Sequence, residues 1–160
     1  MIIEFVGSLS DIPKEDWEKI RLNEYPFLKY DFLKALEDTK CVSPESGWSP
    51  FHIIVKEENR IIGAMPMYIK TDSQGEFIFD WSWADAAHRA GMPYYPKLVV
   101  TSPFSPVGSE KLLISTALSV DDRSFVKTLL IKSLRALCRH DSLTGLHLLF
   151  ISENEADSLE

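Results

Sequence analysis

A chain of 160 residues, 45% hydrophobic and 26% charged, has the composition of one compact core and excludes a disordered or fibrous protein. A net charge of −7 excludes the extended basic surface that nucleic-acid binders carry. No apolar run exceeds strand length, so no membrane span is predicted. The opening Met-Ile-Ile-Glu-Phe-Val carries no secretory signal, and Cys41 and Cys138 match no metal or redox spacing; both predict a cytoplasmic protein with reduced thiols.

Residues 2–6 are β-branched and aromatic and predict a first strand. Gly7 and Ser8 turn the chain, and Ser10 or Asp11 caps a helix beginning near Pro13, where a missing amide costs nothing. Trp17, Ile20 and Leu22 give that helix an apolar side until Pro26 interrupts it. Leu28, Phe32, Leu33 and Leu36 recur at helical spacing and predict a second helix over 31–39. Residues 41–50, containing Trp48, predict an exposed connection. Runs at 51–55 and 61–69 flank the polar turn 56–60, which predicts a hairpin, with Pro66 at a bulge or on an unpaired side. After a turn at 72–75, residues 76–80 predict a third strand.

A short helix over 84–90 is stopped by Gly91 and Pro93. Strands are predicted at 97–100 and 112–114. Residues 120–123 cap the longest helix, 124–140, whose apolar stripe is Phe125, Val126, Leu129, Leu130, Leu134 and Leu137. Gly145 opens 146–151, an unbroken apolar run that reads as a buried strand, and the acidic residues from 152 on read as a turn or frayed end. The order predicts an α+β domain over 1–160, a mixed and largely antiparallel sheet flanked by helices.

Chemistry concentrates between 79 and 97. Asp80 and Asp85 flank Trp81 and Trp83, with His88, Tyr94, Tyr95 and Lys97 close behind. A carboxylate at a strand end can take a proton from an amine or orient it by a charged hydrogen bond. The structural alternative is that Asp80 and Asp85 cap the short helix or pair with Arg89 or Lys97. On a continuing strand, Trp81 and Trp83 point to opposite faces, one to the core and one to a cavity; Tyr94 and Tyr95 divide likewise. His52 and His147, inside strand-like runs, read as structural. Lys127, Lys132, Arg135 and Arg139 form either a solvated helix face or an anion site. No Walker loop, zincin pair, G-x-S-x-G, G-x-G-x-x-G or metal motif occurs.

The series Asn23-Glu24-Tyr25-Pro26-Phe27-Leu28, Phe32-Leu33 with Ala35-Leu36-Glu37, Gly47-Trp48, Gly63-Ala64 and Pro66-Met67-Tyr68-Ile69-Lys70 resembles the FemAB-like predicted N-acyltransferases. So do Gly75-Glu76-Phe77, the run from Asp80 to Ala86, Tyr94-Tyr95-Pro96-Lys97 and Pro103-Phe104-Ser105-Pro106-Val107. The element order is likewise that of the acetyltransferase-like (GNAT) fold. The resemblance implies two such domains in tandem, this chain being the N-terminal half and the missing C-terminal domain its partner. It implies transfer of an acyl or aminoacyl group to a small-molecule or cell-wall-type amine, from acyl-coenzyme A or aminoacyl-tRNA. Asp80 or Asp85 would be base or orienter, and Trp81, Trp83, His88, Tyr94, Tyr95 and Lys97 would line the site. In such folds pantetheine runs beside the fourth strand, and backbone amides before the next helix hold the pyrophosphate. The corresponding interval, 99–124, lacks the usual glycine-rich basic loop, and Gly108 is its only glycine. The isolated chain is therefore expected to bind coenzyme A weakly or not at all. The alternative is a non-catalytic acetyltransferase-like module that binds a ligand or packs on a catalytic partner domain.

Overall fold

A computed structural model describes residues 1–21, 25–140, 143–157 and 159, His140 by its backbone alone. Leu22 of the first predicted helix, and Asn23 and Glu24 of the family motif, lie outside the described residues. In chain order the strands are β1 (Ile2–Val6), β2 (Trp48–Pro50), β3 (His52–Glu57), β4 (Arg60–Met65), β5 (Met67–Lys70), β6 (Lys97–Val100), β7 (Leu113–Ile114) and β8 (Leu146–Leu148). The helices are α1 (Lys14–Ile20), α2 (Tyr30–Asp38), α3 (Trp81–Arg89), α4 (Val120–His140) and α5 (Glu153–Asp157). None is long and apolar enough to cross a membrane.

The predicted hairpin is β3–β4. Glu58 and Asn59 both take left-handed backbone angles, φ +47° and +64°, the pair of positive values a type I′ hairpin turn requires. The predicted single strand 61–69 is in fact two strands. Pro66 has no N–H to donate, so the ladder ends at Met65, and the chain leaves one sheet to enter another as β5. The first sheet, β1-β3-β4-β7, is antiparallel throughout. The second, β2-β5-β6-β8, is antiparallel except for the parallel pair β6 and β8, where Leu98 faces Leu146 and Val100 faces Leu148. Mixed pairing agrees with the α+β expectation, but the strands divide into two four-stranded sheets.

One core spans both sheets. Ile53, Val55 and Met65 from the first meet Met67, Leu98 and Val100 from the second under Val126, Leu130 and Leu134 of α4. The absence of a side chain at Gly63 admits that helix, since a Cβ there would lie 2.7 Å from Val126 Cγ1. Helix α4 begins earlier than predicted because Ser119 caps it, its hydroxyl accepting from Asp122 N–H at 3.1 Å. Phe125 departs from the expected stripe and is exposed. On the other face of the first sheet, Trp17 and Ile20 of α1, Leu33 of α2 and Leu28 from the turn between them are buried against Ile54, Ile61 and Ala64.

Four further expectations are corrected. Residues 76–80 form no strand, because left-handed angles at Gly75 (φ +76°) and Phe77 (φ +62°) break the extended path. The short helix starts at Trp81 rather than 84. Residues 41–50 are not an exposed connection: β2 pairs with β5 and Trp48 is buried against Tyr68. The predicted buried strand 146–151 is ordered as β8 only over Leu146–Leu148 and is half-buried, while the chain beyond 152 forms α5.

The core assignment predicts a sharp contrast along α4. Leu130→Ala should cost about 2–5 kcal/mol through lost burial and a residual cavity, whereas Phe125→Ala should stay within about 0.5 kcal/mol. Urea unfolding of both variants measures the difference.

Candidate functional site

The turn at Gly75 and Phe77 directs two carboxylates inward. Phe104 fills the space a Gly75 side chain would need, its Cε1 2.5 Å from where a Cβ would stand. Glu76 and Asp80 thereby converge on Lys97, the first residue of β6. The Lys97 ammonium donates to Glu76 Oε2 at 2.8 Å and to Asp80 Oδ2, and all three residues are buried. Tyr94 Oη donates to Asp80 Oδ2 at 2.9 Å and Tyr95 Oη to Oδ1 at 2.8 Å. Behind them, Lys70 Nζ donates to the Gln74 carbonyl at 3.1 Å and lies 4.0 Å from the Trp48 ring centroid.

These contacts set the proton affinities. Burial by itself would raise the Asp80 carboxyl, but hydrogen bonds from Lys97, Tyr95 and Tyr94 outweigh it and hold it at about 2. Asp80 is thus a fixed anion, suited to orienting a cation and poorly suited to taking a proton near neutral pH. Burial pushes the Glu76 carboxyl up against the pull of Lys97, and its Oε1 is buried with no hydrogen-bond partner. Tyr94 is pushed up to about 12 by burial and by the Asp80 carboxylate it donates to; Tyr95 rises for the same reasons. Burial lowers Lys70 to about 8. Two carboxylates thus face the Lys97 ammonium, with the Lys70 ammonium behind them and Glu76 Oε1 unsatisfied.

Four of the sequence candidates stay together in this cluster: Asp80, Tyr94, Tyr95 and Lys97. The other four, Trp81, Trp83, Asp85 and His88, lie on α3 and are exposed. The tryptophans do not divide between core and cavity as a strand would require. On the helix both face solvent, 61% and 69% exposed. Asp85 pairs with Arg89 at 2.7 Å one turn along. His52 is held at both nitrogens, Nε2 3.0 Å from Glu37 Oε1 and Nδ1 accepting from Met67 N–H at 3.2 Å, as a structural histidine would be. His147 stands edge-on to Tyr94, its pKa lowered by burial and then by Lys97.

A second feature lies toward the other end of β6. Beyond their paired stretch β6 and β8 part: the chain after β6 crosses to the first sheet as β7, forming on the way an isolated parallel bridge from Ser109 to Ile151 in the continuation of β8. Into this opening α5 places Glu155, whose carboxylate accepts from Lys111 N–H at 2.8 Å and Leu112 N–H at 2.7 Å. Lys111 Nζ donates to Ser109 Oγ at 2.6 Å and to the Phe150 carbonyl at 3.0 Å, and burial brings it down to about 8. A cavity of about 150 Å³ lies between the segment leading into β7, α4 and α5, lined by Glu110, Leu112, Ile114, Arg123, Lys127 and Glu155 among others. A larger one, about 410 Å³, continues along α4 past Lys127, Lys132 and Arg135. Among the described residues no carboxylate pairs with any of these four cations, and Arg123 Nε is buried without a partner. Arg139 lines neither cavity.

Glu76, Lys111 and Glu155 escaped the sequence reading. Glu76 was hidden in an apparent strand and Glu155 in an apparent frayed end; the only signal for Glu76 was its place four residues before Asp80. No group of three or more His, Cys, Asp or Glu among the described residues could hold a metal ion.

The architecture defines an acetyltransferase-type fold. The crystal structure of a ribosomal-protein-alanine N-acetyltransferase from Brucella melitensis biovar Abortus 2308 matches it with a TM-score of 0.54 and 11% identity, over 99% of this chain and 86% of that one. At that identity the likeness is one of fold. The FemAB-like family, described as peptidoglycan biosynthesis/recognition, matches residues 8–160, and the chain belongs to that family. No curated protein matches it.

The Asp80 geometry carries a pH signature. Its carboxyl titrates near 2 when folded and near ~4 when unfolded, so its stabilisation is complete above about pH 5 and is lost as pH falls toward 2. Asp80→Asn should be less stable by about 3 kcal/mol at pH 7, because the Lys97 ammonium is left partly uncompensated. The gap to wild type should narrow as pH falls from about 5 to about 2, as urea unfolding at several pH values would show; a constant gap contradicts the assignment.

Proposed function

We propose that the chain is an N-acyltransferase domain, transferring an acyl or aminoacyl group to an amine. The observation that carries the reading is the pair of cavities along α4, lined by Arg123, Lys127, Lys132 and Arg135, none of which pairs with a carboxylate among the described residues. A donor bearing phosphates, acyl-coenzyme A or aminoacyl-tRNA, would set them against these cations, as charge-assisted contacts to guanidinium and ammonium groups favour. The acceptor amine would be drawn to the carboxylates of Glu76 and Asp80 at the start of β6. Asp80 would orient the ammonium, and Glu76 Oε1 is the open acceptor for its N–H. The ammonium gives its proton to solvent, the free amine nitrogen attacks the acyl carbonyl carbon, and the tetrahedral adduct expels the donor's thiolate or ribose alkoxide, which takes up the proton shed by the new amide nitrogen. Tyr94, Tyr95 and Lys97 hold the carboxylates in place. Trp81, Trp83, Asp85 and His88 stand outside this arrangement on α3. A second acetyltransferase-type domain, which the family resemblance implies, would complete the acceptor side.

One observation favours the non-catalytic alternative. Glu155 occupies the Lys111 and Leu112 amides, so a donor needing those amides meets a closed cleft. Calorimetry with coenzyme A and with aminoacyl-tRNA separates the two readings. The proposal expects weak binding, on the order of 100 μM, reduced at least tenfold in an Arg123→Ala/Lys127→Ala variant of unchanged melting temperature. No binding of either donor at ~1 mM supports the module reading instead.

A further inference from the structure

Helix α5 is seated by a charge rather than by an apolar face. Of its residues, Glu153–Asp157, only Glu155 is buried. So short a helix does not persist in water on its own hydrogen bonds, and packing of an apolar face is the usual remedy. What reaches into the body here is instead the Glu155 carboxylate. Its Oε1 accepts from Lys111 N–H at 3.0 Å and Leu112 N–H at 2.7 Å, and its Oε2 from Lys111 N–H at 2.8 Å. Two neighbouring backbone amides converging on one carboxylate make an anion-binding concavity. The cavity of about 150 Å³ that Glu155 lines is also lined by Arg123 and Lys127 of α4, and Arg123 Nε is buried without a partner. Glu155 therefore satisfies the amides and leaves the guanidinium unsatisfied. A phosphate group, with three acceptor oxygens and a larger charge, can serve both.

We propose that α5 is a latch on this cavity: an entering phosphate group displaces the Glu155 carboxylate from the Lys111 and Leu112 amides, gains Arg123 in addition, and releases the helix. The inference rests on the reading of the α4 cations as a phosphate site and adds what controls access to it. Two anions compete for one pair of amides, so phosphate binding and release of α5 are coupled, each opposing the closed state. The ligand's apparent affinity falls in proportion to how seldom α5 stands open. Burial pushes the Glu155 carboxyl up in spite of the two amides, so its charge is held there against a desolvation cost.

Inorganic pyrophosphate is the probe, with calorimetry to give affinity and the Lys111 and Leu112 amide signals in a proton–nitrogen spectrum to give place. Glu155→Ala should bind it at least ~10-fold more tightly than wild type, with both amide signals moving. Glu155→Gln keeps an oxygen for the amides and removes the competing charge, so it should gain affinity by a smaller factor. That variant decides the question if the alanine variant does not fold. Glu153→Gln, which removes a charge from the exposed side of α5, should match wild type. In wild type, saturating pyrophosphate should speed hydrogen exchange at the Ala156 amide, which the Ser152 carbonyl holds at the start of α5. Equal affinity in wild type and the folded Glu155 variants overturns the latch. So does binding that leaves the two amide signals unmoved, or no binding by those variants at ~10 mM. Coenzyme A that binds wild type and Glu155→Ala alike overturns the latch and leaves the acyltransferase reading intact. Pyrophosphate admitted by loss of Glu155, with neither coenzyme A nor aminoacyl-tRNA bound by any variant, supports the latch and removes that reading.

Discussion

The Lys97 ammonium, enclosed by Asp80 and Glu76, fixes the part of the chain that sequence patterning leaves loosest. Taking these charges out of water costs several kcal/mol per ion, and only close pairing with supporting hydrogen bonds offsets it. Tyr94 and Tyr95 supply that support to Asp80. The segment from Gly75 to Asp80 and the segment from Tyr94 to Lys97 are consequently tied at one point, and α3 is held out from the body between them. The left-handed Phe77, unfavourable for a side chain with a Cβ, persists because the buried charges on either side demand it. Glu76 Oε1 is the one carboxylate oxygen of the pair left without a donor.

Pro66 has a comparable reach through the rest of the fold. By ending the β4 ladder it makes one long hydrophobic run serve two sheets, and His52 Nδ1 takes the Met67 N–H at the crossing. The interval after β6 mirrors this division: the chain leaves the second sheet and rejoins the first as β7.

The sequence is most legible where burial follows a simple period. The β3–β4 hairpin and the α4 stripe at Val126, Leu130 and Leu134 follow from local pattern, whereas α1 starts after Pro13 with no side-chain cap from Ser10 or Asp11. It is least legible where polar groups decide the path. Glu76-Phe-Ile-Phe-Asp reads as a strand by composition, and nothing local reveals that a lysine some twenty residues on will draw both acids inward. Trp48 looks like a loop residue until Tyr68 and Lys70 close over it. Glu155 looks like part of a solvated tail until the unpaired amides at 111 and 112 are in view. Of the site residues the sequence nominates, those bonded to Lys97 are gathered by the fold, and those on α3 are recruited by composition alone.

Glu155 gives the cleft a built-in clock. The Lys111 and Leu112 amides are both held by Glu155 of the five-residue α5, so their protection from hydrogen exchange would measure how seldom that helix lifts away. Any molecule that needs those amides meets an apparent affinity scaled by that open fraction. Two amide signals in a hydrogen-exchange spectrum would therefore give the energetic cost of admission to the cleft without knowledge of what enters it.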